Sequence, residues 1–353
     1  MYFKRVKASV LHIVFGIAIF CTLGGKQRSF LDHNKNYPVE NLDIKLKCYN
    51  LKCVCDDGKS LRYSNDRHQI EFTYGGKEIL FDGVKIFLAR PLCKRLNQRV
   101  IASVDFEKIL RPLLSPEKMQ RCLRAGGCIV IDPGHGGKAE GTKNAQLKLV
   151  EKKLTLLSAL KLSNALRKLG YTVYLTRNRD VDLSLDQRSQ FANRQKAQLF
   201  ISLHYNSASS KQANGIETFM HSFAFHPSTD RSVVLPTDNV VVNNNRFDMQ
   251  NTYLGFCLQK ALFAHLKMMD RGVRRARFGV LKDVRCPAVL IECGFLSNPN
   301  EAKQIATNEY QDKLIAGIVD AIQAYVQAKK ESNGLPKVKT RSFLSRCLFK
   351  KSQ

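Results

Sequence analysis

The stretch IVIDPGHGGK, residues 129–138, constrains this chain more than any other. Three successive β-branched residues, Ile129, Val130 and Ile131, read as a buried strand. Asp132 ends the run, and Pro133 and Gly134 stop the hydrogen-bonded ladder. His135 therefore sits on a loop at a strand exit, boxed in by Gly134, Gly136 and Gly137. Glycines there let the backbone turn tightly and let another group approach closely. A metal ion or a substrate is the expected visitor, and a glycine turn bearing a solvent-exposed histidine is the plain alternative.

The same texture continues downstream. Glu151 to Leu169 is a leucine-rich helix closed by Gly170, YTVYLTR a strand, Leu185 to Lys196 a helix and AQLFISLHYN a strand. GIETFM, a helix from about Met249 to Leu266, the strands FGVL and AVLIECGFL, and a helix from Asn308 to Ala328 complete the series. Strands interleaved with helices predict an α/β domain over residues 126–328, a mixed, mostly parallel sheet with helices on both faces. Residues 44–125 differ: short alternating runs such as HQIEFTYGG and KEILFDGVKIFLA, broken by Asp-Gly and Gly-Gly, predict a small, mostly β accessory domain. Its segment FDGVKIFLARPLCKRLNQRVIASVDFEKILRPLL resembles the accessory domain of the copper-amine-oxidase N-terminal type, and that resemblance implies no copper.

The chain opens with a basic MYFKRVK followed by the apolar run Ala8 to Leu23, the pattern of an export signal. Residues 1–25 are thus expected to be a signal peptide or an uncleaved anchor, and residues 26–43 a polar linker. An exported, periplasmic location follows, in which disulfides are permitted to the 11 cysteines. Cys53-x-Cys55 has the wrong spacing for a zinc knuckle, and pairing cannot be deduced. With 57 Lys and Arg against 30 Asp and Glu, the formal charge of +27 favours polyanionic surroundings. The basic residues are scattered over no nucleic-acid module, so no nucleic-acid partner is expected. Residues 329–353 read as a basic flexible tail suited to peripheral membrane contact.

Partners for His135 should collect on the same sheet edge, because ligands gather at the carboxyl ends of parallel strands. His204 closes the apolar strand LFISLH, and Glu151 opens the helix that follows the His135 loop. Two neutral imidazoles and one carboxylate make a three-ligand set that leaves a fourth zinc position for water. Glu292 ends the apolar strand PAVLIE, where a carboxylate needs a reason; a general base for that water supplies one. Taken singly, Glu151 also fits a helix-start acid, His204 a satisfied core histidine and Glu292 a buried ion-pair partner.

The segments IVIDPGHGGKAEGT, VEKKLTLLSALKLSNALRKLGYTVYLTRNRD, LSLDQRSQFANRQKAQLFISLHYNSA, ANGIETFM and RGVRRARFGVLKDVRCPAVLIECGFLSNPNEAKQI resemble the zinc-dependent N-acetylmuramoyl-L-alanine amidases of bacterial cell-wall separation. The resemblance runs in order from about Gly127 to Val326. It implies His135, Glu151 and His204 as zinc ligands and Glu292 as the catalytic acid/base. It further implies peptidoglycan as substrate, cleaved at the amide between N-acetylmuramic acid and the L-alanine of its stem peptide. Some members carry a blocking helix that a protein activator removes; here HSFAFHPSTDRSVVLPTDNVVVNNNRFDMQ reads as a loop instead.

Two other readings stand beside this one. An inactive wall-binding homologue would have lost a ligand, and all four residues are present. A penicillin-sensitive D,D-carboxypeptidase activity would use Ser-x-x-Lys, which occurs at Ser158 to Lys161 and at Ser115 to Lys118, with Tyr63 to Asn65 as a Tyr-x-Asn element. The chain has no Lys-Ser/Thr-Gly to complete that set.

Overall fold

The computed structural model describes residues 37–120 and 123–327. The expected signal or anchor at 1–25, the first part of the linker and the basic tail at 329–353 lie outside the described residues. Among the described residues, no helix is long and apolar enough to cross a membrane.

The N-terminal part contains β1 (Val39–Asn41), α1 (Leu42–Lys47) and the strands β2 (Lys52–Asp56), β3 (Ser60–Ser64), β4 (Gln69–Thr73), β5 (Glu78–Phe81) and β6 (Val84–Phe87). β7 (Cys93–Arg95) and β8 (Gln98–Ala102) follow, then the short helices α2 (Ser103–Asp105) and α3 (Arg111–Leu114) flanking a π-helical turn. Strands β2 to β6 form an antiparallel meander. Its alternation is that of a half-buried sheet: Leu61, Tyr63, Ile70, Phe72, Ile79 and Phe81 point into the core, and their neighbours face outward.

The second part comprises β9 (Cys128–Pro133), β10 (Lys143–Asn144), β11 (Leu149–Val150), α4 (Glu151–Lys168), β12 (Thr172–Leu175), α5 (Leu185–Arg194), β13 (Leu199–Asn206) and β14 (Ile216–His221). It continues with α6 (Asp248–Leu266), β15 (Asp270–Ala276), α7 (Gly279–Lys282), β16 (Ala288–Phe295), α8 (Pro299–Ile305) and α9 (Asn308–Gln327). β12, β9, β13 and β16 are parallel neighbours, β14 runs antiparallel to β16, and β15 runs parallel to β14. Alternate residues of each strand serve opposite faces: Ile129 and Ile131 belong to the core that α4, α6 and α9 also line, whereas Val130 belongs to the smaller core of α5 and α7. This is the mixed α/β sheet, covered on both faces, that the alternation of elements predicts.

FGVL does not form the expected strand. Gly279–Lys282 is a single helical turn, and the strand is the preceding DRGVRRA segment. Val280 and Leu281 are both buried, which a short apolar run achieves as readily in one helical turn as in a strand, so periodicity could not separate them.

The two β regions are joined edge to edge. Val273 of β15 pairs with Ile86 of β6, so one eleven-stranded sheet runs from β12 to β2. Phe81 meets Phe256 of α6 edge-on across this seam, and one hydrophobic core spans both parts. Residues 222–247 run as a loop with 3-10 turns at Pro236–Asp238 and Asn243–Phe247. Lys77 of the N-terminal part ties this loop down through the Thr229 and Arg231 carbonyls.

Candidate metal centre

The site lies where β9 stops and its neighbours run on. Pro133, the last residue of β9, pairs with Leu203, while β13 and β16 continue side by side through His204 and Glu292. The Gly134 amide still donates to the Leu203 carbonyl at 3.0 Å, and there the chain turns away from the sheet. The step so formed brings His135, Glu151 and His204 together: one potential ligand atom from each lies within 4.8 Å of the other two. Glu292 sits inside β16 rather than at its end, since the strand continues to Phe295. Its place at the site comes from the early end of β9, a difference in strand lengths that local sequence does not encode.

Glu151 is the first residue of α4 and is buried. Its Oε1 lies 3.1 Å from His135 Nε2 and 3.0 Å from His204 Nδ1, and accepts the Tyr205 amide at 3.0 Å; Oε2 accepts the Thr142 amide at 2.8 Å. Burial alone would raise its pKa. Its interactions with His135 and His204 outweigh that and hold the carboxyl well below the usual range. The imidazoles meet edge to face, with ring centroids 4.9 Å apart.

The glycines account for the closeness. A Cβ on Gly134 would lie 2.3 Å from the His204 ring, and one on Gly141 would lie 2.4 Å from Glu151 Oε2 and 2.7 Å from the His135 ring. Gly136 and Gly137 make room for Val181, Arg177 and Asp182 instead. The space expected around His135 is therefore filled by the protein's own ligand side chains and by the segment after β12. Gly141, with φ +70°, is a fourth glycine of the set that the sequence reading did not single out.

Glu292 stands opposite His204 on one side and opposite Glu217 of β14 on the other. Its Oε2 is enclosed and has no hydrogen-bond partner. Burial, with the charges of Glu151 and Glu217 added, pushes its pKa well up. Glu217 is itself buried and held by Arg271. Sequence reasoning passed over Glu217, although an acid inside the apolar run GIETFM carries the same signal that drew attention to Glu292.

These features fit a divalent cation. Two imidazoles and a carboxylate converge on one point, the carboxyl groups of Glu217 and Glu292 lie beside it, and the enclosed Glu292 Oε2 lacks a partner. The set matches hydrolytic zinc chemistry.

Ser158 is not part of the site. It is fully buried in α4, with its hydroxyl within reach of the Leu154 carbonyl at 2.9 Å, Gln311 Oε1 at 2.7 Å and the Tyr205 hydroxyl at 2.9 Å. Lys161 turns outward to Asp312, and Tyr63 belongs to β3 in the N-terminal meander. The Ser-x-x-Lys match at Ser158 is thus a helix packing residue followed by a surface ion pair. Among the described residues, Cys48, Cys53, Cys55, Cys93, Cys128 and Cys293 are free thiols.

Fold and site together define an α/β protein with a His-Glu-His group able to hold a metal ion at the edge of its sheet. The family model for N-acetylmuramoyl-L-alanine amidase, Amidase_3, matches residues 129–324, and the chain belongs to that family. It is similar to the N-acetylmuramoyl-L-alanine amidase AmiC of Escherichia coli O6:H1, with 32% identity over 63% of this chain and 58% of the relative. It is also similar to a putative N-acetylmuramoyl-L-alanine amidase of Buchnera aphidicola, with 32% identity over 58% of this chain and 98% of that protein. A probable cell wall amidase, LytH, of Staphylococcus aureus is 30% identical over 58% of this chain and 60% of its own length. The chain therefore spans about three fifths of the length of two of these relatives.

Proposed function

We propose that this protein hydrolyses the amide bond between N-acetylmuramic acid and the L-alanine of the peptidoglycan stem peptide, with His135, Glu151 and His204 holding Zn2+. The observation that carries this reading is the convergence of those three side chains within 4.8 Å beside the unpartnered Glu292 carboxylate. When bound, Zn2+ supplies Lewis acidity towards the scissile carbonyl and lowers the pKa of a coordinated water. Glu292 takes the proton from the attacking water at Oε2 and passes it to the departing alanine nitrogen. The Thr142 and Tyr205 amides hold the Glu151 carboxylate in one orientation.

The finer reading places the enzyme in the periplasm, in cell-wall remodelling and cell separation, with residues 1–25 as export signal or anchor. Residues 126–328 act as the catalytic unit and residues 44–125 as an accessory unit. A protein activator is an allowed partner, and the basic tail supplies peripheral membrane contact. The presence of all four site residues weighs against an inactive wall-binding role.

Mass spectrometry of purified muropeptides, digested with and without a chelator, tests the central claim. Release of free stem peptide that stops with chelator and returns with Zn2+ is expected. Cleavage at another bond, or cleavage indifferent to chelator, overturns it.

A further inference from the structure

The backbone that carries His135 is held in an uncommon shape. His135 has φ +62°, in the left-handed region that a residue with a Cβ seldom occupies, and it is followed by Gly136 at +125° and Gly137 at +57°. Such a conformation persists only where the surroundings over-determine it. Two arginines do so from one side. Arg177, just after β12, donates from Nε to the Pro133 carbonyl at 2.9 Å and from Nη2 to the Gly134 carbonyl at 2.8 Å. Arg188, in α5, donates from Nη1 to the Pro133 carbonyl at 2.9 Å and from Nη2 to the His135 carbonyl at 2.8 Å. Three successive carbonyls are thus pinned by two planar forks whose own positions are fixed.

Both forks are anchored. Arg188 forms a buried ion pair with Asp132 at 2.8 Å, and Asp132 also accepts from Ser202 of β13. Arg177 reaches the Lys152 carbonyl and the Thr155 hydroxyl in the first turns of α4, and Thr155 donates to the same Gly134 carbonyl at 2.8 Å. The cradle therefore links the strand that presents His135, the neighbour of the strand that presents Glu292, and the helix that presents Glu151. A rigid guanidinium spans two carbonyls at once, which a lysine ammonium on a flexible stem does with far less geometric definition.

We propose that Arg177 and Arg188 are positioning residues that lock the Pro133–His135 backbone and thereby set the metal affinity of the His135, Glu151 and His204 centre. The proposal rests on the reading of that centre as a metal site. Neither arginine is asked to touch substrate. Their role is to prevent rotation of the peptide planes on either side of His135, which would swing the imidazole off the point it shares with Glu151.

The test uses the full chain and reads metal binding without turnover. Zn2+ affinity is measured by competition with a chromophoric chelator, and the ligand field by the visible spectrum of the Co2+ form, for wild type, Arg177→Lys, Arg188→Lys and Thr155→Val. Wild type should bind one Zn2+; if it binds none, the metal-site reading itself fails and the proposal falls with it. Each lysine variant should bind about 10- to 100-fold more weakly, the range expected when groups that orient ligands are altered, with a changed Co2+ spectrum. Thr155→Val, nearly isosteric and removing one of the bonds to Gly134, should weaken affinity by about 10-fold, the lower end of that range, while keeping native melting behaviour, which keeps the test decisive if a lysine variant fails to fold. Folded variants with wild-type affinity and an unchanged Co2+ spectrum overturn the proposal.

Discussion

Gly134→Ala is the sharpest perturbation this site allows, because it adds one methyl group at a known distance from one ligand. Gly134 does not occupy the left-handed region, so alanine meets no backbone penalty there, and the whole effect is steric. The new Cβ would sit 2.3 to 2.7 Å from Cε1, Nε2 and Nδ1 of His204, where ordinary contact begins at 3.4 Å. The imidazole must then retreat by about 1 Å, and a misplacement of that size costs on the order of 10²-fold in rate. Because His204 is packed inside β13, the overpacking should also cost about 1 to 3 kcal/mol of stability. The assay pairs muropeptide turnover with zinc content per chain on protein that still melts cooperatively. Turnover within threefold of wild type, with full zinc, would show that the closeness of Gly134 to His204 is not what holds the ligand in place.

Glu292→Gln keeps the size of the side chain but cannot accept the water proton, so turnover should fall by about 10² to 10⁴ with zinc retained; loss of zinc instead would make Glu292 a ligand. Wild-type protein should not be labelled by a fluorescent penicillin, because Ser158 is sealed inside α4, and Ser158→Ala should lower stability by about 1 to 3 kcal/mol as Gln311 and Tyr205 lose a partner; labelling that disappears in the variant would restore the serine activity. Removing residues up to about 120 exposes the β15 edge and the face of α6 that packs on Phe81, so the remaining chain should be insoluble or molten; a cooperatively melting fragment would contradict this. Burial, with Arg277 and Arg275 nearby, brings the His221 imidazole down from an ordinary 6.5 to about 4. The unfolded chain takes up that proton first, so stability is unaffected above pH 6.5 and declines as pH falls towards 4, by up to about 3 kcal/mol from this group. A His221→Gln variant with the same acid limb in its stability profile would refute the assignment.

The sequence alone picked out the residues of the candidate site, three of which the structure brings together. An apolar run followed by Pro-Gly-His-Gly-Gly can end a strand in only a few ways, and a carboxylate at the start of an amphipathic helix or inside PAVLIE stands out against its neighbours. Hence His135, Glu151, His204 and Glu292 stood out, as did α4, α5 and α9 through their periodicity and α6 through the length of its apolar run. What depended on distant partners was not legible. FGVL became a helical turn because both of its apolar residues could be buried that way, and Glu292 reached the site from mid-strand because β9 ends early. The fourfold hydrogen bonding of the Pro133–His135 carbonyls comes from arginines about 40 and 50 residues away, in segments read only as a strand and a helix. The fusion of two β regions through Val273 and Ile86 likewise has no local signal. Strand pairing and the meeting of side chains across a sheet are set by which surfaces the whole chain can bury together, and only the tertiary structure decides that.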